Sequence, residues 1–398
     1  MDNTLWFLLI IGIVILSIRL MIKIKFDSFK ISRYFFNYKF NNITSLCMFL
    51  GTKLGVGVFI SVSISILLGG PSTLIWMILF MFITSPIIYN EAFLGFKSRK
   101  KINNVFIGGP NLYIKNKRIS KIYLVLFLIT YTLAFMMIQT NTLFNIIDIN
   151  INVNKTMMFI IFFIILTYLL IFDTKEILSI LNKLVIVMCS LLIILFLIII
   201  IKNIDKFKDL TSFILKDLNN KFSVLYALIN SIILTVKRNV FQTELLLGTT
   251  SIGSASSSNL ENAINNNMIG HYFLILIVFL TGIVIILYQM NNCYDDNYFM
   301  FITNVFRFHF DRIGVVILIA LFILFALTTL ISAFYFGVVN ISFYRPKLLN
   351  IYKIIMLMFS LCGIFINEGI IWWAVDLLSL ILMVINGITL WRYSYDRQ

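Results

Sequence analysis

Long apolar runs separated by short clusters of lysine, arginine and asparagine set the rhythm of this chain. Eleven runs recur, near 4–22, 43–68, 72–95, 121–146, 156–172, 183–201, 222–256, 268–289, 312–335, 347–367 and 370–391, the seventh of them broken. As helices rising 1.5 Å per residue, runs of about 18–25 residues cross a hydrocarbon core of roughly 30 Å. Helices satisfy their own backbone groups, which lipid cannot do. Asp2 precedes the first run and no small-residue cleavage site follows it, so it reads as a retained helix and not a signal peptide. Between the sixth and seventh runs, Lys202, Lys206, Lys208, Lys216 and Lys221 alternate with Asp205, Asp209 and Asp217, the pattern of an amphipathic surface helix.

Composition agrees with the pattern. With 60% hydrophobic and 12% charged residues and a mean hydropathy of +0.98, the chain is expected to be an all-α integral membrane protein. The connections are too short for a separate soluble domain, so 1–398 reads as one transmembrane unit with no room for receptor, kinase or hydrolase chemistry. The net charge of +15 does not point to nucleic acid, because the basic residues sit in short loops, densest over Lys23–Lys39 and Lys97–Lys121. Loops after odd-numbered runs, with the C-terminal tail, hold about 22 Lys and Arg against about 8 on the other side. That bias places the N-terminus outside and the C-terminus in the cytoplasm, with the chain multi-pass in the cytoplasmic membrane. Cys47, Cys189, Cys293 and Cys362 lie far apart with no CxxC pair, which argues against a disulfide framework or zinc site. His271 and His309 stand alone near run ends, where packing is a commoner role than metal ligation.

Polar residues interrupt certain runs. Leu50-Gly51-Thr52-Lys53-Leu54-Gly55-Val56-Gly57 places three glycines and a lysine inside the second. An interior glycine costs about 1 kcal/mol of helix propensity, and a mid-bilayer lysine about 2.5–3.5 kcal/mol. A discontinuous helix explains both, since freed amides and carbonyls can then face a substrate or ion; a small-residue packing face is the alternative. A second break is expected around Lys237–Glu244, followed by a stretch, Gly248–Ser256, whose serine-rich composition suits a flexible cytoplasmic loop. Two breaks about five spans apart suggest an inverted repeat. Gln139 and Asn141 in the fourth span are about 200° apart and need not share a pocket. Thr328 and Thr329 in the ninth either return to their own helix carbonyls or offer oxygens to a hard cation. Glu91 ends the third span, where an interfacial position competes with an intramembrane one, and Asp376 and Asn386 lie in the last. No GxSxG, P-loop or HExxH is present, so the chain is not expected to be an enzyme.

These residues resemble the sodium:alanine/glycine symporters, the amino-acid carrier proteins. The family's GTGN-I-x-GVA and GGPGAxFWM are matched by Gly55–Phe59 and Gly69–Met77 at the family's spacing, ExxLA by Glu91 and Leu94, and GGPMYYI by Gly108–Ile114. Gln139–Thr142 is similar to QxNS, Arg238–Gly248 to RGLFSNEAGMG, Phe325–Gly337 to FAFSTxxGWxYYG, and Trp372, Asp376 and Asn386 to WxxAD followed by Asn.

The resemblance implies the leucine-transporter-type (LeuT-type) fold of about 11 transmembrane helices: an extra helix at 4–22, then inverted five-helix repeats at 43–201 and 222–391. It implies a site between the broken spans, with Gly55, Gly57, Val58, Gln139, Asn141, Phe241 and Thr243 around the substrate. A sodium ion, the expected coupling ion, would sit near Gly55, Val56, Thr328 and Thr329. Lys53, Glu91, Glu244 and Asp376 would serve structure or gating, with Lys53 expected to pair with Glu91 or Asp376. No other cofactor is implied. Two departures touch the site: the family's TGN is Val56-Gly57-Val58, and its SNEAG is Gln242-Thr243-Glu244-Leu245-Leu246. The expected activity is sodium-coupled symport of a small neutral amino acid such as alanine or glycine by a monomer in a lipid bilayer. A transporter-like sensor without turnover and a sodium-independent or proton-linked carrier using Lys53 are the alternatives.

Overall fold

A computed structural model describes residues 3–36, 43–102, 105–171, 174–222, 225–291 and 297–393. Cys293 and the end of the Lys23–Lys39 loop lie outside the described residues. The principal helices are α1 (Asn3–Lys23), α2 (Thr44–Lys53), α3 (Val56–Gly69), α4 (Thr73–Lys97), α5 (Lys117–Ile129), α6 (Met136–Ile151), α7 (Lys155–Ile171), α8 (Thr174–Lys202), α9 (Phe207–Phe222), α10 (Leu225–Thr243), α11 (Thr249–Ser254), α12 (Leu260–Gln289), α13 (Tyr298–Tyr344), α14 (Leu349–Cys362) and α15 (Glu368–Tyr393). A small antiparallel hairpin, β1 (Lys100–Ile102) and β2 (Val105–Ile107), interrupts the basic loop after α4, with Lys100 opposite Ile107. The protein is therefore all-α and multi-pass, with helix α9 in the charged connection before α10.

Among the described residues, six helices are long and apolar enough to cross a membrane alone, and the α2–α3 pair, bent by 43°, makes a seventh. The remaining expected spans are helical but differ for identifiable reasons. A π-helical turn over Thr130–Phe135 divides α5 from α6, α10 carries Lys237, Arg238, Asn239 and Gln242, and α14 has 14 residues. Helix α13 begins well before the expected ninth run and kinks at Asp311, whose φ of 54° is left-handed.

Helix α12 packs along α4, α13 along α6 and α8, and α10 along α3, so the broken α2–α3 segment lies inside a ring of helices. Apolar side chains fill that interior: Phe59 contacts the rings of Phe196, Phe322 and Phe325 at centroid separations of 6.3, 5.5 and 5.1 Å. His271 is buried there too and reaches the Met81 carbonyl at 2.9 Å, a packing role.

Candidate functional site

The second span breaks over Leu54-Gly55. Leu54 N–H still donates back to the Leu50 carbonyl at 2.7 Å, closing α2, while Gly55 is extended (φ −82°, ψ −177°) and starts α3 with Val56 and Gly57 in its first turn. Two helix ends therefore meet in the interior, α2 presenting its last carbonyls and α3 its first amides. The first end favours a cation and the second an anion.

Glycine is required here because other helices come close. A Cβ on Gly55 would lie 2.6 Å from Thr329 Oγ1 and 3.3 Å from Gln139 Nε2, and one on Gly57 would lie 2.7 Å from the Phe241 ring. Thr329 Oγ1 is 3.1 Å from the Gly51 carbonyl and 3.0 Å from that of Phe325, which Thr328 Oγ1 also approaches at 3.0 Å. Both threonines thus return to their own helix, as hydroxyls in helices do, and Thr329 reaches the broken span as well. The Gly51 and Phe325 carbonyls, which the sequence reading did not assign to the ion, join Thr328 and Thr329 in a cluster of neutral oxygens. Val56 and Val58 are buried.

The expected substrate residues divide. Gln139 faces Gly55, and its Oε1 is buried with no hydrogen-bond partner. Phe241 covers Gly57, stacks on Phe135 at 5.2 Å and meets Trp372 edge-on at 4.6 Å. Asn141 points elsewhere: its amide donates to the Gly363 and Ile366 carbonyls at 2.9 and 3.0 Å, tying α6 to the end of α14. The 200° between positions two apart separates it from Gln139. Thr243 bonds back to the Asn239 carbonyl at 2.8 Å.

Charge collects on the opposite side of the break. Lys53 has a fully buried side chain, with Nζ 3.6 Å from Glu244 Oε2 and 3.1 Å from Thr249 Oγ1, over the Phe49 ring at 4.6 Å. Its ion pair is with Glu244, not with Glu91 or Asp376. Asp376 pairs with Lys237 at 2.6 Å. Glu91 is not interfacial: it is 0% exposed, and its Oε1 accepts from Asn386 Nδ2 at 2.8 Å. The Asn386 amide also donates to the Leu246 carbonyl at 3.0 Å, while its Oδ1 accepts from Tyr113 at 2.8 Å.

The seventh span breaks later than expected. Helix α10 runs through Thr243, and the break covers Glu244–Gly248, with Glu244, Leu246 and Gly248 all left-handed (φ 48°, 61° and 83°). The serine-rich stretch after it is not a loose loop. It forms α11, buried against α4, where Ser251 Oγ donates to the Glu91 carbonyl at 3.0 Å.

Two further residues stand out. Gln242 is 2% exposed and neither of its amide atoms has a partner; one turn earlier, Arg238 lies 4.6 Å over Trp372 with Nε and Nη1 unpartnered. Buried polar groups are nearly always satisfied, so this strip of α10 carries unused hydrogen-bonding capacity. Gln242 stood within a motif departure, but a one-letter change could not reveal that its amide lacks partners.

Comparison with known proteins places the sequence among amino-acid carriers. The amino-acid carrier protein AlsT of Bacillus subtilis (strain 168) is 25% identical over 354 residues, covering 85% of this chain and 75% of that protein. The probable sodium/glutamine symporter GlnT of the same organism is 22% identical over 361 residues (88% and 75%). An uncharacterized transporter of Haemophilus influenzae is 26% identical over 381 residues (88% and 77%). The sequence profile of the sodium:alanine symporter family matches residues 1–394, and the chain belongs to that family of membrane transporters, whose activity is amino-acid transport.

Proposed function

We propose that the protein is a sodium-coupled symporter of a small neutral amino acid, working by alternating access around the break in α2–α3. The observation that carries this reading is the pair of glycines at the break, Gly55 against Thr329 and Gln139, and Gly57 against Phe241. Amides at the start of α3 suit the substrate carboxylate, and Phe241 and Phe135 suit a short apolar side chain. The Gly51 and Phe325 carbonyls with Thr328 and Thr329 suit sodium, a hard cation that favours neutral oxygens; Gly55 and Val56 sit beside them.

Lys53 does not compete for that position. It stands two residues after Gly51, about 200° round the helix, and faces Glu244 and Thr249 instead of the threonines. This favours sodium over a built-in ammonium as the coupling charge.

The scaffold proposed is the leucine-transporter type in one domain, with eleven spans and inverted repeats at 43–201 and 222–391, the N-terminus outside and the C-terminus cytoplasmic. Helices α1 and α15 run parallel, with Leu16 beside Gly387, Arg19 over Trp391 and Lys23 on the Tyr393 carbonyl. Parallel first and last spans require an odd number of crossings, which supports eleven. Contacts also pair loops expected on one side: Arg99 with the Ala255 and Ser257 carbonyls, and Asp217 with the Ser72 amide.

Uptake of labelled alanine, glycine and glutamine into proteoliposomes, with an inward sodium gradient and without one, tests the reading. Sodium-stimulated uptake of at least one supports it. A second reading, a sensor without turnover, is favoured by Val58, a buried apolar side chain where the family carries asparagine. Ligand-induced thermal stabilisation without counterflow would establish that reading and exclude transport.

A further inference from the structure

The turn between α3 and α4 brings two helix ends together. Helix α3 stops at Gly69 and α4 starts at Thr73, with Gly70-Pro71-Ser72 between them. The last carbonyls of α3 carry partial negative charge and the first amides of α4 partial positive charge. Helix α9, the amphipathic connection whose charges have no part in the site described above, meets both. Lys221 Nζ donates to the Gly69 carbonyl and, at 3.0 Å, to Ser72 Oγ, while Asp217 Oδ2 accepts from the Ser72 amide at 2.9 Å. The two side chains stand one helical turn apart and pair with each other at 2.7 Å. Each charge therefore faces the helix end of opposite sign.

The turn is shaped for this contact. Gly70 is left-handed (φ 79°), and a Cβ there would lie 2.8 Å from both Asp217 carboxylate oxygens and from Lys221 Nζ. Glycine is demanded twice, by the backbone and by the approaching ion pair. The same Gly69 carbonyl meets Ser231 Oγ of α10 at 3.4 Å. Helix α9 packs on α10 and leads directly into it, since Phe222 and Leu225 are three positions apart.

A hold on the turn is thus a hold between α3 and α10. On the reading proposed above, on which this inference rests, these are the half-spans that form the site: α3 carries Gly57 in its first turn, and α10 carries Phe241, whose ring closes over Gly57. We propose that α9 is a strap that makes α3 and α10 one moving unit, fastened by Asp217 and Lys221, so that Phe241 stays in register with Gly57 while the protein changes conformation. A surface ion pair contributes little by itself. The strap differs from one in that its charges are matched to the two helix ends, and exchanging them undoes it.

The test is hydrogen–deuterium exchange, read by mass spectrometry on the purified full-length protein in detergent. Lys221→Gln and Asp217→Asn should each quicken exchange about fivefold, the effect of losing one charged contact to a helix end, at the amides of Gly70, Ser72 and Thr73 and also at those of Gly57, Val58 and Phe59. Lys221→Arg should exchange like wild type. The exchanged pair, Asp217→Lys with Lys221→Asp, keeps the ion pair but faces each helix end with its own sign, so it should match the single variants. An exchanged pair that behaves like wild type would overturn the strap, and so would quickening confined to the turn, since α9 would then only cap two helix ends. In proteoliposomes the single variants should raise the half-saturating amino-acid concentration about fivefold, and an unchanged value in variants whose amides quicken would break the link to the site. Exchange is read without transport, so a wild type that shows no uptake counts against the proposed function and leaves the strap to be decided by the amides.

Discussion

The two helix breaks differ in what satisfies them. In the α2–α3 break two residues leave the helix, both with φ below zero, and of the side chains that crowd it Thr329 reaches the Gly51 carbonyl. The α10–α11 break takes five residues, puts Glu244 and Leu246 in left-handed conformations, and is locked by protein: Asn386 holds the Leu246 carbonyl, and Lys53 pairs with Glu244. Left-handed non-glycine residues cost on the order of 1–3 kcal/mol each and persist only when their surroundings hold them. The first break is open chemistry and the second a closed joint. Lys53, one residue before the first break, belongs energetically to the second.

The most forceful way to break this contrast is to remove one charge from the joint. Glu244→Gln leaves Lys53 buried without its ion pair, a loss expected to be about 3–5 kcal/mol, read as a collapse of thermal stability in detergent. Replacing both partners by apolar residues, Lys53→Met with Glu244→Leu, should recover most of that stability. If the single variant melts like wild type, the joint is not held by this pair. A smaller effect separates the breaks by glycine. Gly55→Ala forces a methyl to 2.6 Å from Thr329 Oγ1, an overpacking of roughly 1–3 kcal/mol that should abolish uptake while the protein still folds. Gly248→Ala requires a left-handed alanine against Pro110 and should instead lower the melting temperature. The reverse pattern would exchange the roles of the two breaks.

The first break was legible in sequence because its signal is local: glycines and a lysine within an apolar run admit few explanations. The second was displaced in the sequence reading, because Lys237 to Glu244 looks polar enough to end a helix. Helical geometry instead carries Lys237 to Asp376 and Asn239 to the Met77 carbonyl, so the helix continues. Glu91 stands late enough in its span to suit either an interfacial or an intramembrane position, and nothing in its neighbourhood announces Asn386, almost three hundred positions onward. Asn141 and Gln139 carry equivalent chemistry, and only the course of α14 decides that one of them is a tie between helices. What failed to show was the choice of partner wherever the partner was distant in sequence.

A subtler test concerns the neutral oxygens. Thr329→Val removes the hydroxyl between Gly51 and Phe325 while keeping the side chain's shape. Loss of one such ligand or hydrogen bond is worth about 1–1.5 kcal/mol, so the sodium concentration for half-maximal uptake should rise about tenfold, with uptake at saturating sodium little changed. An unaltered sodium dependence would remove Thr329 from the ion site.

The smallest effect is expected from the third buried-end carboxylate, Asp376. Its ion pair with Lys237 has the same formal charges as Lys53–Glu244 and a shorter separation, 2.6 Å against 3.6 Å, yet its side chains keep 10% and 22% of their exposure whereas those of the inner pair keep 2% and 0%. Exposure outweighs distance here, because the less enclosed pair gives up less solvation on forming and leaves the remaining charge less enclosed after a substitution. Lys237 also lies over the Trp6 ring at 5.6 Å, so it is not stranded without the carboxylate. Asp376→Asn should therefore cost less than about 1 kcal/mol and leave sodium-dependent uptake near the wild-type level, set beside the collapse expected for Glu244→Gln. If Asp376→Asn instead stopped uptake in a protein that melts normally, this more exposed pair would be a gate, and the site's controlling charge would have to be moved from the α10–α11 joint to Lys237 and Asp376.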